Sequence, residues 1–300
     1  MAVTLSADVL SRYPRFTLYN SPFAAHDRGC AVDLYPGDSD GETVRPNPED
    51  GPPVDAPSPV AGEILETRTV TAPSRPYAAD EDHLILVDTG ERVARLLHVD
   101  PTVAAGDTVA VGDSLGRLVR AGFFAPWVAN HLHLGFREYG ADYHRAAGSL
   151  PLELDPALGI DAIDWDGTGT VVAAGETYAV IDSPTHPAPG ERFAGLAVTD
   201  GDGERVGVLD GGLPHYDGGG LLCRRADSDA GDVFLAGERV GRADGRDVAW
   251  SDVTVLANGD PVTGIALAIG RDRAGVKLVG ESVDLPVGTD VTVSIETRDP

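Results

Sequence analysis

Lysine is almost missing from this chain: Lys277 is the single one in 300 residues, and arginine carries every other basic side chain. Nowhere do basic residues cluster, which excludes nucleic acid as a partner, since neutralising a phosphate backbone needs grouped Lys and Arg. Cysteine is scarce too. Cys30 and Cys223 are too few for a disulfide framework or a thiolate metal cage, and are read as small buried side chains. No window approaches 18 unbroken apolar residues, so no membrane span is expected. The opening stretch MAVTLSADVLSRYPRF lacks a basic segment followed by an apolar one, so the expected location is cytoplasmic.

Acid is abundant. Asp and Glu outnumber Lys and Arg by 48 to 23, giving a net charge of -25, and the excess is spread along the chain rather than gathered in a tail. That bias, with much Asp, Gly and Ala, resembles proteins of salt-loving archaea. At multimolar salt the Debye length falls below about 3 Å, so such a surface serves solubility more than steering. A hydrophobic content of 42% is enough to bury a core in each of two domains.

The pattern is mainly β. Short β-branched runs such as HLILVD, RVARLLHV, TVAVGDSLGRLV, HLHLGF, TYAVID and DVTVSIE are broken by Gly, Pro and Asp every 8 to 12 residues. Only residues 3 to 12 and 121 to 130 suggest short helices. Residues 36 to 59 carry too many Pro, Gly and acidic residues to pack and are read as an exposed loop. A boundary falls near 150 to 165, dividing domain 1–158 from a β-rich accessory domain, 159–300, of unassigned role. In the latter, the glycines of GGLPHYDGGGLL are expected to serve tight turns.

Five of the eight histidines, His26, His83, His98, His131 and His133, lie in the first 140 residues. In NHLHLGF, His131 and His133 share one face of a strand about 7 Å apart, while Leu132, Leu134 and Phe136 face the core. Same-face imidazoles suit a metal site: zinc takes about three His, Asp, Glu or Cys donors and an open position, and a neighbouring ring can move protons. Asp82 and Asp100 flank His83 and His98 and could fix a ring tautomer. Arg137 shares the histidine face if the strand runs through Gly135, and is read as solvent-facing. His144 and His186 read as loop residues; His215, Tyr216 and Asp217 read as turn caps.

The runs GCAVDL, SPVAGEI, LLHVD, AAGDTVAVGDSLG and NHLHLGF, in this order over residues 29 to 136, resemble the lysostaphin or LytM-type zinc endopeptidases. The resemblance implies a duplicated hybrid-motif β sandwich or barrel, one zinc ion, and a peptide or glycopeptide substrate. It also implies Asp33 and His133 as metal ligands, with His131 and His98 as the catalytic pair. That family acts outside the cell. Its first histidine ligand belongs four residues before Asp33, where Gly29 stands; the nearest substitute is His26, which can serve only if the intervening DRGCAV loops out.

Two other readings use the same scaffold. The stretch DHLILVDTGERVARLLHVD also resembles the glucose-type IIA phosphocarriers, which implies His98 as phosphoryl acceptor and His83 as its helper; HLHLGF has no role there. The other is a catalytically degenerate module that binds a glycan, a peptide or another subunit. A lipoyl or biotinyl carrier, which shares the V..GD.V..G..L pattern, is excluded because Lys277 lies far from it. Oligomeric state is not legible.

Overall fold

The computed structural model describes residues 1–37, 54–223 and 231–297, and is almost entirely β. It divides into two compact units. One comprises 1–16 and 30–158; the other comprises 17–29 and 159–300. The division near 158 falls where composition changes, but residues 17–29 group with the second unit, which a contiguous first domain does not anticipate. Among the described residues no helix is long and apolar enough to cross a membrane.

The first unit is organised by one antiparallel sheet, whose strands we number β1 (Ala31–Tyr35), β2 (Gly62–Thr71), β3 (Glu81–Asp88), β4 (Val93–Leu97), β5 (Thr108–Val109) and β6 (Leu132–Arg137). They pair in the order β1, β6, β4, β3, β2, β5. Strand β6 lies between two neighbours and is buried at every position, His133 and Arg137 included. Leu132, Leu134 and Phe136 face the core with Val32 and Leu34 of β1. A smaller sheet joins Asp55–Pro57, Ser114–Leu118 and Val99–Pro101.

Two glycines of these sheets have a steric cause. Gly62 (φ +155°) and Gly116 (φ +142°) each lie so close to the facing strand that an added Cβ would sit 2.0 Å from a carbonyl oxygen, of Asp88 and Asp100 respectively. Only glycine accepts both the torsion and the approach. Gly62→Ala is therefore expected to cost more than about 2 kcal/mol, from backbone displacement added to strain; a chemical denaturation midpoint unchanged from wild type would contradict this.

Neither suggested helix forms as expected. Residues 3–12 divide into a strand, Val3–Leu5, paired in parallel with Leu152–Leu154, and one helical turn, Ala7–Leu10, capped by Ser6. The 121–130 stretch is a chain of turns. Pro126 interrupts it, and the Pro126 and Val128 carbonyls accept hydrogen bonds from the Arg120 guanidinium rather than from following amides. Of the expected loop at 36–59, residues 38–53 lie outside the described residues, whereas Asp55–Pro57 pair as a strand.

The second unit has its own core, drawn from Val171, Leu196, Leu209, Leu221, Val255, Ile265 and Leu278 among others. Its glycine-rich stretch does not mainly make turns. Arg205–Leu213 and Gly218–Leu222 are antiparallel strands, and their glycines make room for aromatic rings: an added Cβ would lie 2.1 Å from the Tyr19 ring at Gly220 and 2.2 Å from Trp250 at Gly219. Asp210, fully buried in the first of these strands, accepts hydrogen bonds from the Leu18 N–H (2.6 Å), the Tyr19 N–H (3.3 Å) and the Thr17 hydroxyl (2.5 Å). It thereby ties residues 17–19 into that unit.

Cys30 is half-buried and Cys223 is exposed, correcting the expectation of two core side chains. Cys223 directly follows the strand Gly218–Leu222 and has φ +50°.

A candidate metal centre on one face of the first sheet

The register of three strands assembles the centre. His133 of β6 stands opposite both Asp33 of β1 and Leu97 of β4, and opposed residues of an antiparallel pair project to the same side. Asp33 is thus carried beneath the imidazoles although a hundred residues separate it from His133. The His133 Nδ1 lies 2.9 Å from Asp33 Oδ1, and the His131 Nε2 lies 3.5 Å from Asp33 Oδ2. All three residues are buried.

His131 is oriented by its backbone. Its Nδ1 lies 2.9 Å from the Ala129 carbonyl, and a carbonyl only accepts, so the proton sits on Nδ1 and Nε2 is turned toward Asp33. Phe124 stacks on the His131 ring (4.4 Å, 24°) and meets His98 edge-on at 4.6 Å. Tyr35, two residues beyond Asp33 on the same face, lies 5.2 Å from His131. His98 completes the group, its ring 5.1 Å from that of His131 and 5.9 Å from that of His133. Its Nδ1 lies 2.7 Å from Asp82 Oδ2.

The donor set fits a metal ion. A carboxylate and an imidazole are ligand types zinc takes, and bonds of about 2.0–2.1 Å at tetrahedral angles put neighbouring donors roughly 3.3 Å apart, near the 2.9 Å between His133 Nδ1 and Asp33 Oδ1. Asp33 and His133 each offer one buried ligand atom.

The other candidates have partners of their own. His26 is buried in the second unit with its Nδ1 2.7 Å from the Leu18 carbonyl. The chain after it folds as a turn, closed by the Gly29 N–H donating to the His26 carbonyl, before β1 begins. Gly29 cannot be replaced by the histidine of the expected pattern without disruption: its φ is +56°, and a Cβ would lie 2.4 Å from the Arg246 guanidinium and 2.9 Å from the Tyr19 hydroxyl. His83 Nε2 lies 3.8 Å from Asp100. His144 pairs with Glu66 at 2.9 Å on the surface, and His186, although in a loop, is buried. Burial holds His215 down, to about 4. Arg137 does share the histidine face but does not look to solvent; it is buried, bonded to the Ser149 hydroxyl and to the carbonyls of Arg145 (3.0 Å) and Ala146 (3.2 Å).

Phe124 and Tyr35 are the residues that sequence reasoning missed. Tyr35 carried a usable signal, since alternation along AVDLY puts it on the face of Asp33. Phe124 carried none, because a chain of turns and not a periodic element delivers it.

Two family models match the chain, one over each half: "Domain of unknown function (DUF8155) N-terminal domain" over residues 4–154, and its C-terminal counterpart over 161–296. No curated protein matches it. Two solved structures are distantly similar. The catalytic domain of the antimicrobial peptidase lysostaphin from Staphylococcus simulans is 20% identical at a TM-score of 0.28, with 48% of this chain and 92% of that one covered. A solution structure of lysostaphin is 12% identical at a TM-score of 0.28, with 97% and 98% covered.

Proposed function

We propose, for a chain that belongs to the DUF8155 family, that the N-terminal unit is a zinc-dependent hydrolase of peptide bonds, with a peptide or glycopeptide as substrate. The observation that carries the reading is the placement of Asp33, whose two carboxylate oxygens face ring nitrogens of His131 and His133. Asp33 and His133 would hold the metal. His26 is the third donor we assign, on the ground that it is the nearest histidine preceding Asp33 and that a turn interrupts the strand between them. A zinc ion in such a donor set polarises a carbonyl and makes water nucleophilic near neutral pH.

The chain's own side chains supply the proton chemistry. His131, with Nδ1–H spent on the Ala129 carbonyl, presents Nε2 to the reacting group. His98, with Nδ1 spent on Asp82, is the second acid–base group. The burial of both rings keeps their hydrogen bonds clear of competing water, which strengthens them.

Metal analysis tests this reading. Purified protein in molar salt, the condition suited to an acidic surface of this kind, is expected to carry about one zinc per chain. A mixture of quenched fluorescent peptides is expected to be cleaved, with activity lost to a chelator and restored by zinc. Metal-free protein that accepts a phosphoryl group on His98 would replace the proposal with the phosphocarrier, and absence of both would leave a binding module. The phosphocarrier is disfavoured by Asp82, rather than His83, being the partner of the His98 ring.

A further inference from the structure

We infer that Asp82 is a positioning residue: it locks the neutral His98 ring with its proton on Nδ1, so that Nε2 is the atom presented to the His131 and His133 side. The inference rests on the hydrolase reading for its catalytic consequence, but not for the tautomer itself.

The register of β3 and β4 shows how unusual the contact is. Leu84 stands opposite Leu97, and the next pair inward is joined by the His98 N–H donating to the His83 carbonyl at 3.2 Å. Opposed residues share a face, so an ordinary strand would place the His98 ring beside His83, on the side away from Asp82. His98 instead has φ +69°. This left-handed torsion breaks the alternation and brings the ring to the face that carries Asp82, Leu84, Leu97 and His133. A non-glycine residue adopts it at a cost of about 1 kcal/mol or more, and such torsions persist where surrounding contacts over-determine them.

The contact that does so is the Asp82 carboxylate, which is fully buried and fixed at both oxygens: Oδ1 accepts the His83 N–H at 2.8 Å and Oδ2 faces His98 Nδ1 at 2.7 Å. An ionised carboxylate has no proton to give, so the ring must donate. Burial raises the pKa of Asp82, but the charge that the His98 and His83 rings carry when protonated, with the hydrogen bonds from the His98 ring and the His83 N–H, outweighs it and leaves the group lowered. Arg95, two positions before Leu97 and so on the same face, adds a buried positive charge held by the Tyr143 carbonyl at 3.2 Å. Backbone torsion and carboxylate thus agree on one ring orientation.

The test is a long-range proton–nitrogen correlation spectrum of nitrogen-15-labelled full chain, at a pH where the ring is neutral, with His98 assigned by its disappearance in His98→Gln. The expected pattern is a protonated Nδ1 and an unprotonated Nε2. In Asp82→Asn the amide can donate to the ring, so the pattern is expected to invert, with zinc content unchanged and kcat on the cleaved peptide lowered about 100- to 10,000-fold at little change in KM. Wild-type protein with the proton on Nε2, or Asp82→Asn with an unaltered tautomer, overturns the inference; should that variant not fold, the wild-type spectrum decides alone. A locked Nδ1–H in a protein that neither binds zinc nor cleaves peptide supports the inference while ending the hydrolase reading.

Discussion

Replacing His133 by alanine is expected to strip the protein of zinc, taking it from about one ion per chain to near none after gel filtration in molar salt. Altering a partner that merely orients a ligand weakens metal binding about 10- to 100-fold, so removing the donor itself should exceed that. The substitution also removes the 2.9 Å partner of the buried Asp33 carboxylate and leaves the His131 Nε2 at 3.5 Å, which costs stability or favours uptake of a proton by the carboxyl group. Asp33→Asn, which keeps the shape and removes the charge, should lose the metal with less damage to the fold. His131→Ala should keep the metal and lose turnover. Retention of zinc at full stoichiometry by folded His133→Ala would refute the assignment of this face as the metal centre, whatever the catalytic results.

The second large effect concerns Asp210. Its replacement by alanine deprives the Leu18 and Tyr19 amides and the Thr17 hydroxyl of a shared acceptor in a fully buried position. Unsatisfied buried donors cost about 1–3 kcal/mol each, so after relaxation the second unit should lose roughly 3–5 kcal/mol. Burial raises this carboxyl to about 6, against the hydrogen bonds and the nearby His26, which lower it. The folded form therefore holds the proton more tightly than the unfolded chain, whose value is near 3.9. The contribution to stability is full below about 4 and falls as pH rises toward 6, by on the order of 2–3 kcal/mol. Asp210→Asn should flatten that slope; denaturation midpoints between pH 4 and 7 that decline equally in variant and wild type would rule this out.

Much of the first unit was legible because its rules are local. Alternation in NHLHLGF assigned three side chains to the core and two to the opposite face, and the residues that fill those faces are as expected. The pairing of Asp33 with His133 was not legible from periodicity, since it depends on which strands become neighbours; only a motif resemblance linked them. What eluded local rules altogether was the conduct of backbone groups serving distant side chains. The 121–130 stretch reads as helix until Arg120 claims its carbonyls, and the second unit's glycines read as turns until the rings of Tyr19 and Trp250 require the space. Residues 17–29 joined the second unit through Asp210, an acidic residue that composition alone would send to the surface.

The solitary lysine has a practical corollary. Lys277 is buried in the strand Val276–Val279, hydrogen-bonded between two neighbouring strands, with its ammonium 4.3 Å over the Tyr178 ring. A lysine-specific endoprotease therefore finds no accessible cut in the native 300 residues, and one cut in the denatured chain. The rate at which the fragment 278–300 appears would report directly on opening of the second unit, giving a stability assay that needs no dye, label or engineered site and that works in concentrated salt if the protease does.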